Sequence, residues 1–296
     1  MLLKREPAAL HSVVVTIVLL VAVAALPALA SEFSNPELVE IVGYRGHAME
    51  PFISRDGRYL LFNNLNDPSE NTELHWAERI TATSFRYGGK IEGANTKALE
   101  GVPTLDRNGT LYFFSPRSYG ETLSTIYRAK FEAGRASQVE LVEGLSLKKP
   151  GMVNFDVEIS ADGLFLYGVD GDLTGGAVPK SADLFVARRL GNRFERLADS
   201  SRIFANINTS ALEYAAAISS DGLELFFTRM TGALFWRKLT IEHAVRASTD
   251  APFGPSRTIK AISGHVEAPT ITSDGKALYY HQKVDGAFRI FRVSRR

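Results

Sequence analysis

Residues Glu267–Arg295 read EAPTITSDGKALYYHQKVDGAFRIFRVSR, and this stretch decides the fold. In it Asp274-Gly275 separates two apolar runs, a strong local signal for a β-hairpin because both turn residues tolerate positive φ. The same dipeptide, or Asn-Gly, recurs at Asp56-Gly57, Asn108-Gly109, Asp162-Gly163 and Asp221-Gly222, so the five turns stand 52, 54, 59 and 53 residues apart. A fixed period of that size marks a propeller or another repeat array.

Working outward from the turns, a branched aliphatic residue stands three positions earlier in each copy: Ile53, Leu105, Ile159, Ile218 and Ile271. One position later come Ser54, Asp106, Ser160, Ser219 and Thr272, whose side-chain oxygens can accept a backbone N–H and hold the turn closed. A third apolar segment follows each hairpin: LHWAER from Leu74, IYRAKF from Ile126, LFVARR from Leu184, LFWRKL from Leu234 and IFRVSR from Ile290. This register places Trp76 and Trp236 at equivalent third-strand positions, as packing residues. Fourth segments are expected at Thr96–Leu99, Val139–Glu143, Glu195–Ala198 and Arg257–Ile262, but the last repeat ends after three. The tetrapeptide ELVE occurs at Glu37–Glu40 and again at Glu140–Glu143, which suggests that residues 36–44 supply the missing outer strand. The expected fold is therefore all-β, a five-bladed β-propeller closed by an N-terminal strand joining the C-terminal blade. Such a ring leaves only short, protected strand edges.

The segments EPFISRDGRYLLF, VPTLDRNGTLYFF, VEISADGLFLYG, AAISSDGLELFF and APTITSDGKALYY resemble the Asp-Gly repeat of the TolB propeller and of related bacterial propellers. The resemblance covers nearly all of residues 36–296. It implies a non-catalytic binding or scaffold module in the cell envelope, facing a protein, peptide or glycan.

The chain opens with Lys4 and Arg5, continues through a mostly apolar stretch from Ser12 to Ala30, and reaches Ala28-Leu29-Ala30 before Ser31. Those are the three parts of a secretory signal peptide, so residues 1–30 are expected to be a cleaved leader and residues 31–296 one propeller domain in the periplasm or outside the cell. Loss of Lys4, Arg5 and Glu6 takes the 34 basic and 33 acidic residues to 32 of each. A neutral chain with scattered basic pairs argues against nucleic acid as partner. With no cysteine there is neither a disulfide framework nor a lipid-attachment thiol, and a monomer stabilised by burial alone is expected.

Propeller geometry puts the Asp-Gly turns on one face and the starts of the innermost strands on the other, around the mouth of the central channel. There the sequence offers His47 and Glu50 in the first repeat, Asp156 in the third, Glu213 in the fourth, and His265 and Glu267 in the fifth. Arg117, Arg229 and His281, from the ends of second strands, are expected to point toward the same mouth. Carboxylates and imidazoles gathered there could hold a divalent metal, bind a polar ligand, or perform acid–base chemistry of the kind that cleaves glycosidic bonds. No bound cofactor is otherwise implied, and no nucleophile elbow, zinc pair or phosphate loop is present. Two functional classes remain: the envelope binding module, and a carbohydrate-active hydrolase or lyase at the channel mouth.

The leader reading makes a direct prediction. Protein recovered from the periplasm should have the intact mass of a chain that begins at Ser31; a membrane-bound species retaining residues 1–30 would overturn it.

Overall fold

All five turn glycines adopt left-handed φ, at 72° for Gly57, 80° for Gly109, 73° for Gly163, 72° for Gly222 and 69° for Gly275, where a Cβ would clash. Four of the turns are held by one device: the hydroxyl of Ser54, Ser160, Ser219 or Thr272 accepts the N–H of the residue five positions on at 2.8–3.0 Å. The same hydroxyl donates to Oδ1 of the turn aspartate at 2.5–2.6 Å. In the second repeat Asp106 takes that place, and its Oδ1 accepts from Asn108 and Thr110, each at 2.8 Å.

The computed structural model describes residues 33–66, 71–176, 178–232 and 236–295, within the compact unit Glu32–Arg296. The leader read at residues 1–30 and the expected new terminus at Ser31 lie outside the described residues. Strands β1 (Glu37–Leu38) and β2 (Glu40–Val42) precede the first repeat, which holds β3 (Met49–Ile53), β4 (Tyr59–Asn63), β5 (Leu74–Arg79) and β6 (Ser84–Lys90). The second repeat holds β7 (Gly101–Leu105), β8 (Thr110–Phe114), β9 (Ile126–Glu132) and β10 (Arg135–Leu141). In the third come β11 (Met152–Val153), β12 (Val157–Ile159), β13 (Phe165–Asp172), β14 (Ala182–Leu190) and β15 (Arg193–Arg196). The fourth has β16 (Leu212–Ile218), β17 (Glu224–Thr231), β18 (Lys238–Val245) and β19 (Arg257–Thr258), and the last has β20 (Val266–Ile271), β21 (Ala277–Val284) and β22 (Ala287–Ser294). Within each repeat neighbouring strands pair antiparallel; a single parallel bridge, Ala182 to Leu212, links the third sheet to the fourth. The architecture is all-β and propeller-like.

Apolar side chains pack between successive sheets rather than into one central core. Phe52 and Leu61 of the first repeat meet Leu111 and Phe113 of the second, and Tyr112 of the second meets Leu166 and Phe185 of the third. Val186 of the third meets Phe227 of the fourth, Phe226 of the fourth meets Tyr280 of the fifth, and Tyr279 of the fifth meets Ile53 and Phe85 of the first. Each sheet thus buries both faces, which explains why strands such as YLLF are apolar throughout instead of alternating.

Three strand expectations are corrected. The fourth strand of the first repeat is Ser84–Lys90, and Thr96–Leu99 is instead part of a loop that carries buried hydrogen bonds. The third strand of the fourth repeat is Lys238–Val245, so that IEHAVR, not LFWRKL, occupies the shared register. That register places Ala244 with Ala77, Ala129 and Ala187, all buried, and Arg246 with Arg79 and Arg295, whose Nε atoms donate to the carbonyls of turn glycines Gly222, Gly57 and Gly275. Trp236 is consequently not the counterpart of Trp76: it is 85% exposed, whereas Trp76 packs on the core. Finally, only Glu37 and Leu38 of the 36–44 segment pair with β22; Glu40–Val42 crosses to run parallel with β6. The two ELVE copies do share a register, with Glu37 opposite Arg292 and Glu140 opposite Arg128 in ion pairs of 3.1 and 2.7 Å.

Because this N-terminal segment touches both the last sheet and the first, and seats Val39 in the core between them, removing residues 36–44 should take away several kcal/mol. That is a large part of the about 5–15 kcal/mol a domain possesses. Urea denaturation measures it, and a truncated protein melting within a degree or two of the parent would overturn the expectation.

Candidate functional site

The mouth is built by a β-bulge. In β3, β7, β16 and β20 the pairing register slips at the same point, between Met49 and Phe52, Gly101 and Thr104, Tyr214 and Ala217, and Glu267 and Thr270. The bulged residues Glu50, Val102, Ala215 and Ala268 all have left-handed φ, between 49° and 54°. Their recurrence at a valine and two alanines makes this conformation architectural rather than a strain peculiar to one acid. In three repeats proline follows, at Pro51, Pro103 and Pro269, where the bulge leaves no ladder bond for a missing N–H to lose.

A bulge also changes which way side chains point. Normally residues alternate between faces, yet here the residues seven and six positions before the turn both reach the axis. Met49, Gly101, Phe155, Tyr214 and Glu267, together with Glu50, Val102 and Asp156, line a cavity of about 510 Å³ at the mouth. Three carboxyl groups from three different repeats therefore share one space, walled by Phe114, Phe155, Leu99 and Leu212.

Their environments differ. Glu267 accepts hydrogen bonds from the Tyr214 hydroxyl and from Nε2 of His281 at 3.2 Å, with Nε2 of His265 at 3.6 Å. Burial alone would raise its pKa, but the bonds from His265, His281 and Tyr214 outweigh that and hold the carboxyl well below the usual range. His281 is fully buried, and its Nδ1 accepts the backbone N–H of Glu50 at 3.1 Å. That bond needs a lone pair on Nδ1, so the proton of the neutral ring sits on Nε2, facing Glu267. Asp156 is 5% exposed and its Oδ2 accepts the N–H of Ala215 at 3.0 Å; no described residue donates to Oδ1. Burial, only partly countered by the Ala215 bond and reinforced by the charge of Glu267, pushes its pKa from 3.8 to about 7. Glu50, reached by Asn66 Nδ2 at 3.3 Å, is driven well above its ordinary value by burial and by Asp156 and Glu267. The Tyr214 hydroxyl is likewise raised, by burial and then by Glu267.

On the turn side, polar side chains bridge the repeats across the axis. Arg55 of the first repeat reaches Glu158 of the third at 2.7 Å, with side chains 4% and 5% exposed, and Thr104 of the second donates to Glu158 at 2.7 Å.

Four expected site residues go elsewhere. Glu213 stands eight positions before its turn, on the opposite face of its strand, and is fully buried. It accepts Thr209 N and Oγ1 at 3.0 and 2.7 Å and pairs with Arg229 at 2.8 Å, while Arg229 also donates to the carbonyl of Ile207. The second repeat has the same assembly: Glu100 accepts Thr96 N and Oγ1, each at 2.8 Å, and pairs with Arg117, which donates to the carbonyl of Ala94. Arg117, Arg229 and Glu213 are thus parts of a repeated structural staple. His47 accepts the N–H of Phe288 at 3.2 Å and makes no polar contact with the carboxyl cluster. The structure gathers Glu50, Asp156, Glu267, His265 and His281; Tyr214 and Asn66, which sequence reading passed over, belong with them. Counting seven positions back from every turn would have found Tyr214. Among the described residues no group of three His, Asp or Glu is arranged to hold a metal ion.

No family model and no curated protein matches the chain. Similar solved structures include a family 117 glycoside hydrolase of Zobellia galactanivorans (TM-score 0.55, 11% identity, 89% of this chain on 90% of that one). A mannose phosphorylase from Leishmania mexicana aligns with TM-score 0.51 and 13% identity, over 89% of this chain and 88% of that one. TolB from Acinetobacter baumannii aligns with TM-score 0.45 and 12% identity, over 84% of this chain, which spans 55% of that protein. At these identities the likeness is one of fold.

The two perturbed acids act oppositely on stability. With its pKa raised from 3.8 to about 7, Asp156 contributes stability that is full below pH 3.8 and lost as the pH rises through about 7. Glu267, held low, contributes fully above 4.5 and loses that contribution on acidification. Asp156→Asn keeps an acceptor for Ala215 but cannot ionise. Its melting temperature relative to the parent should therefore climb by several degrees between about pH 4 and pH 8, and a difference that stays flat over that interval would refute the buried-acid assignment.

Proposed function

We propose that the protein is an exported carbohydrate-active enzyme that hydrolyses glycosidic bonds at the mouth cavity of a five-bladed propeller, a ring closed by the pairing of β1 with β22. One observation carries the reading: three carboxyls from separate repeats face a single half-apolar cavity, with the pKa of one held low and those of the other two raised. Titratable groups pushed apart in this way are how one site supplies both an acid and an anion near neutral pH. Asp156, with a pKa of about 7 and Oδ1 open to the cavity, donates a proton to the leaving glycosidic oxygen. Glu267, kept ionised by Tyr214 and the histidines, faces the positive charge that develops at the anomeric carbon as the bond to that oxygen breaks, and a water molecule then adds to that carbon and returns a proton to the Asp156 carboxylate. Glu50, its pKa raised by burial and by Asp156 and Glu267 and its Oε1 held by Asn66, hydrogen-bonds a sugar hydroxyl. The apolar walls suit the C–H face of a sugar ring.

The glycoside hydrolase and the phosphorylase that share this fold support the choice of substrate class. A non-catalytic envelope module of the TolB kind would use the same cavity, but it gives no reason for one carboxyl to be stabilised as an anion beside two that are not. No metal is required by this scheme.

A panel of oligosaccharides assayed for new reducing ends tests it. Asp156→Asn and Glu267→Gln should each lower the rate by about 100-fold or more, and parent activity should decline as the pH passes about 7, where Asp156 ionises. A folded Asp156→Asn protein with the parent rate and pH profile would reject the assignment.

A further inference from the structure

Beside the acidic mouth lies a second cavity, of about 540 Å³, with the opposite electrostatic character. Its charged lining is Arg237, Lys238 and Lys260, joined by His265, and it includes no carboxylate. Leu239 and Ile262 form a buried floor, and Thr240, Thr258 and Ser263 also line the space, Thr258 Oγ1 donating to Glu242 at 2.6 Å and Thr240 Oγ1 to the carbonyl of Arg229 at 3.4 Å while the Ser263 hydroxyl has no described partner. Among the described residues none of these three permanent cations, all exposed, lies in an ion pair. Nor do the backbone N–H groups of Ser263, Gly264 and His265 donate to any described acceptor. Gly264 holds φ at +101°, and a Cβ there would press on Gln282, so this short run of free donors is fixed by a residue no other side chain can replace without strain.

Two residues connect this groove to the mouth. Arg237 lines both cavities, and His265 stands between them, in the groove on one side and 3.6 Å from Glu267 on the other. A neutral sugar face suits the mouth, where added negative charge would meet Glu267 at once; the groove next door offers unneutralised cations, free N–H groups and the Ser263 hydroxyl. We infer that the groove is an anion subsite: it takes an oxyanion substituent, a sulfate ester or a uronate carboxylate, on the sugar unit next to the one held at the mouth. The subsite does not depend on hydrolysis, so it can fail or stand apart from the proposed activity.

Direct binding measurements decide it, using size-matched dextran, dextran sulfate and oligogalacturonate at low salt. Dextran sulfate or oligogalacturonate should bind at least about tenfold more tightly than dextran, with the advantage shrinking as salt screens it. Which of the two binds identifies the oxyanion. Replacing both exposed lysines, Lys238→Glu with Lys260→Glu, should remove that advantage, while Lys130→Glu with Lys149→Glu, also exposed but far along the sequence, should preserve it. Melting temperature and circular dichroism confirm that each pair folds. The inference is overturned if anionic and neutral oligosaccharides bind alike, if no anionic one binds, or if the control pair weakens binding as much as the groove pair.

Discussion

Everything at the functional end of this molecule hangs on one backbone irregularity, the bulge that four innermost strands place two residues short of their apolar core positions. A regular strand would send Glu50 and Met49 to opposite faces; the slip in register turns both inward. Repeated around the axis, it creates a circle of equivalent positions whose occupants are free to vary because the conformation is supplied by the scaffold. Valine and two alanines stand at Val102, Ala215 and Ala268 and an acid at Glu50, while the third repeat, whose register shows no slip, places Asp156 at the equivalent position. Chemistry here is a choice of side chain on a fixed frame.

The two ends of the axis treat charge in contrasting ways. Toward the turns, Arg55 and Glu158 neutralise each other in a dry setting, with Thr104 on the second Glu158 oxygen and the carbonyl of Ile159 on Arg55 Nη2, while Arg55 Nε has no partner among the described residues. Toward the mouth, three carboxyls are gathered without an ion pair to arginine or lysine among the described residues, and their pKa values are driven apart, Glu50 and Asp156 up and Glu267 down.

How far these features can be read from sequence depends on how local their causes are. The hairpins were legible because an Asp-Gly turn and a hydroxyl two residues earlier are complete within six residues. The third strand of the fourth repeat was misplaced because LFWRKL is apolar enough to imitate a strand; the deciding signals are Ala244 in the core and Arg246 on the carbonyl of Gly222. Glu213 misled for a subtler reason. It differs from Glu267 by one position relative to the turn, and beside a bulge one position separates a buried staple from a cavity wall. The staple was itself legible, since ANTKALE and INTSALE repeat the same threonine–glutamate spacing. Tyr214 shares with Glu267 the position seven residues before the turn, so the repeat register marks its place, whereas its bond to Glu267, 53 residues on, is a tertiary contact.

The pairing of Glu37 with Arg292 joins residues 255 apart in the chain. Contacts between such distant residues form slowly, because a long loop must close before any stabilisation is gained. During synthesis the outer edge of β22 does not exist until the final strand has emerged, and until then Glu37 and Leu38 have no partner. Nascent chains therefore carry an unsatisfied first segment until the last strand is made. That state is the one most exposed to pairing with a second chain instead of its own end.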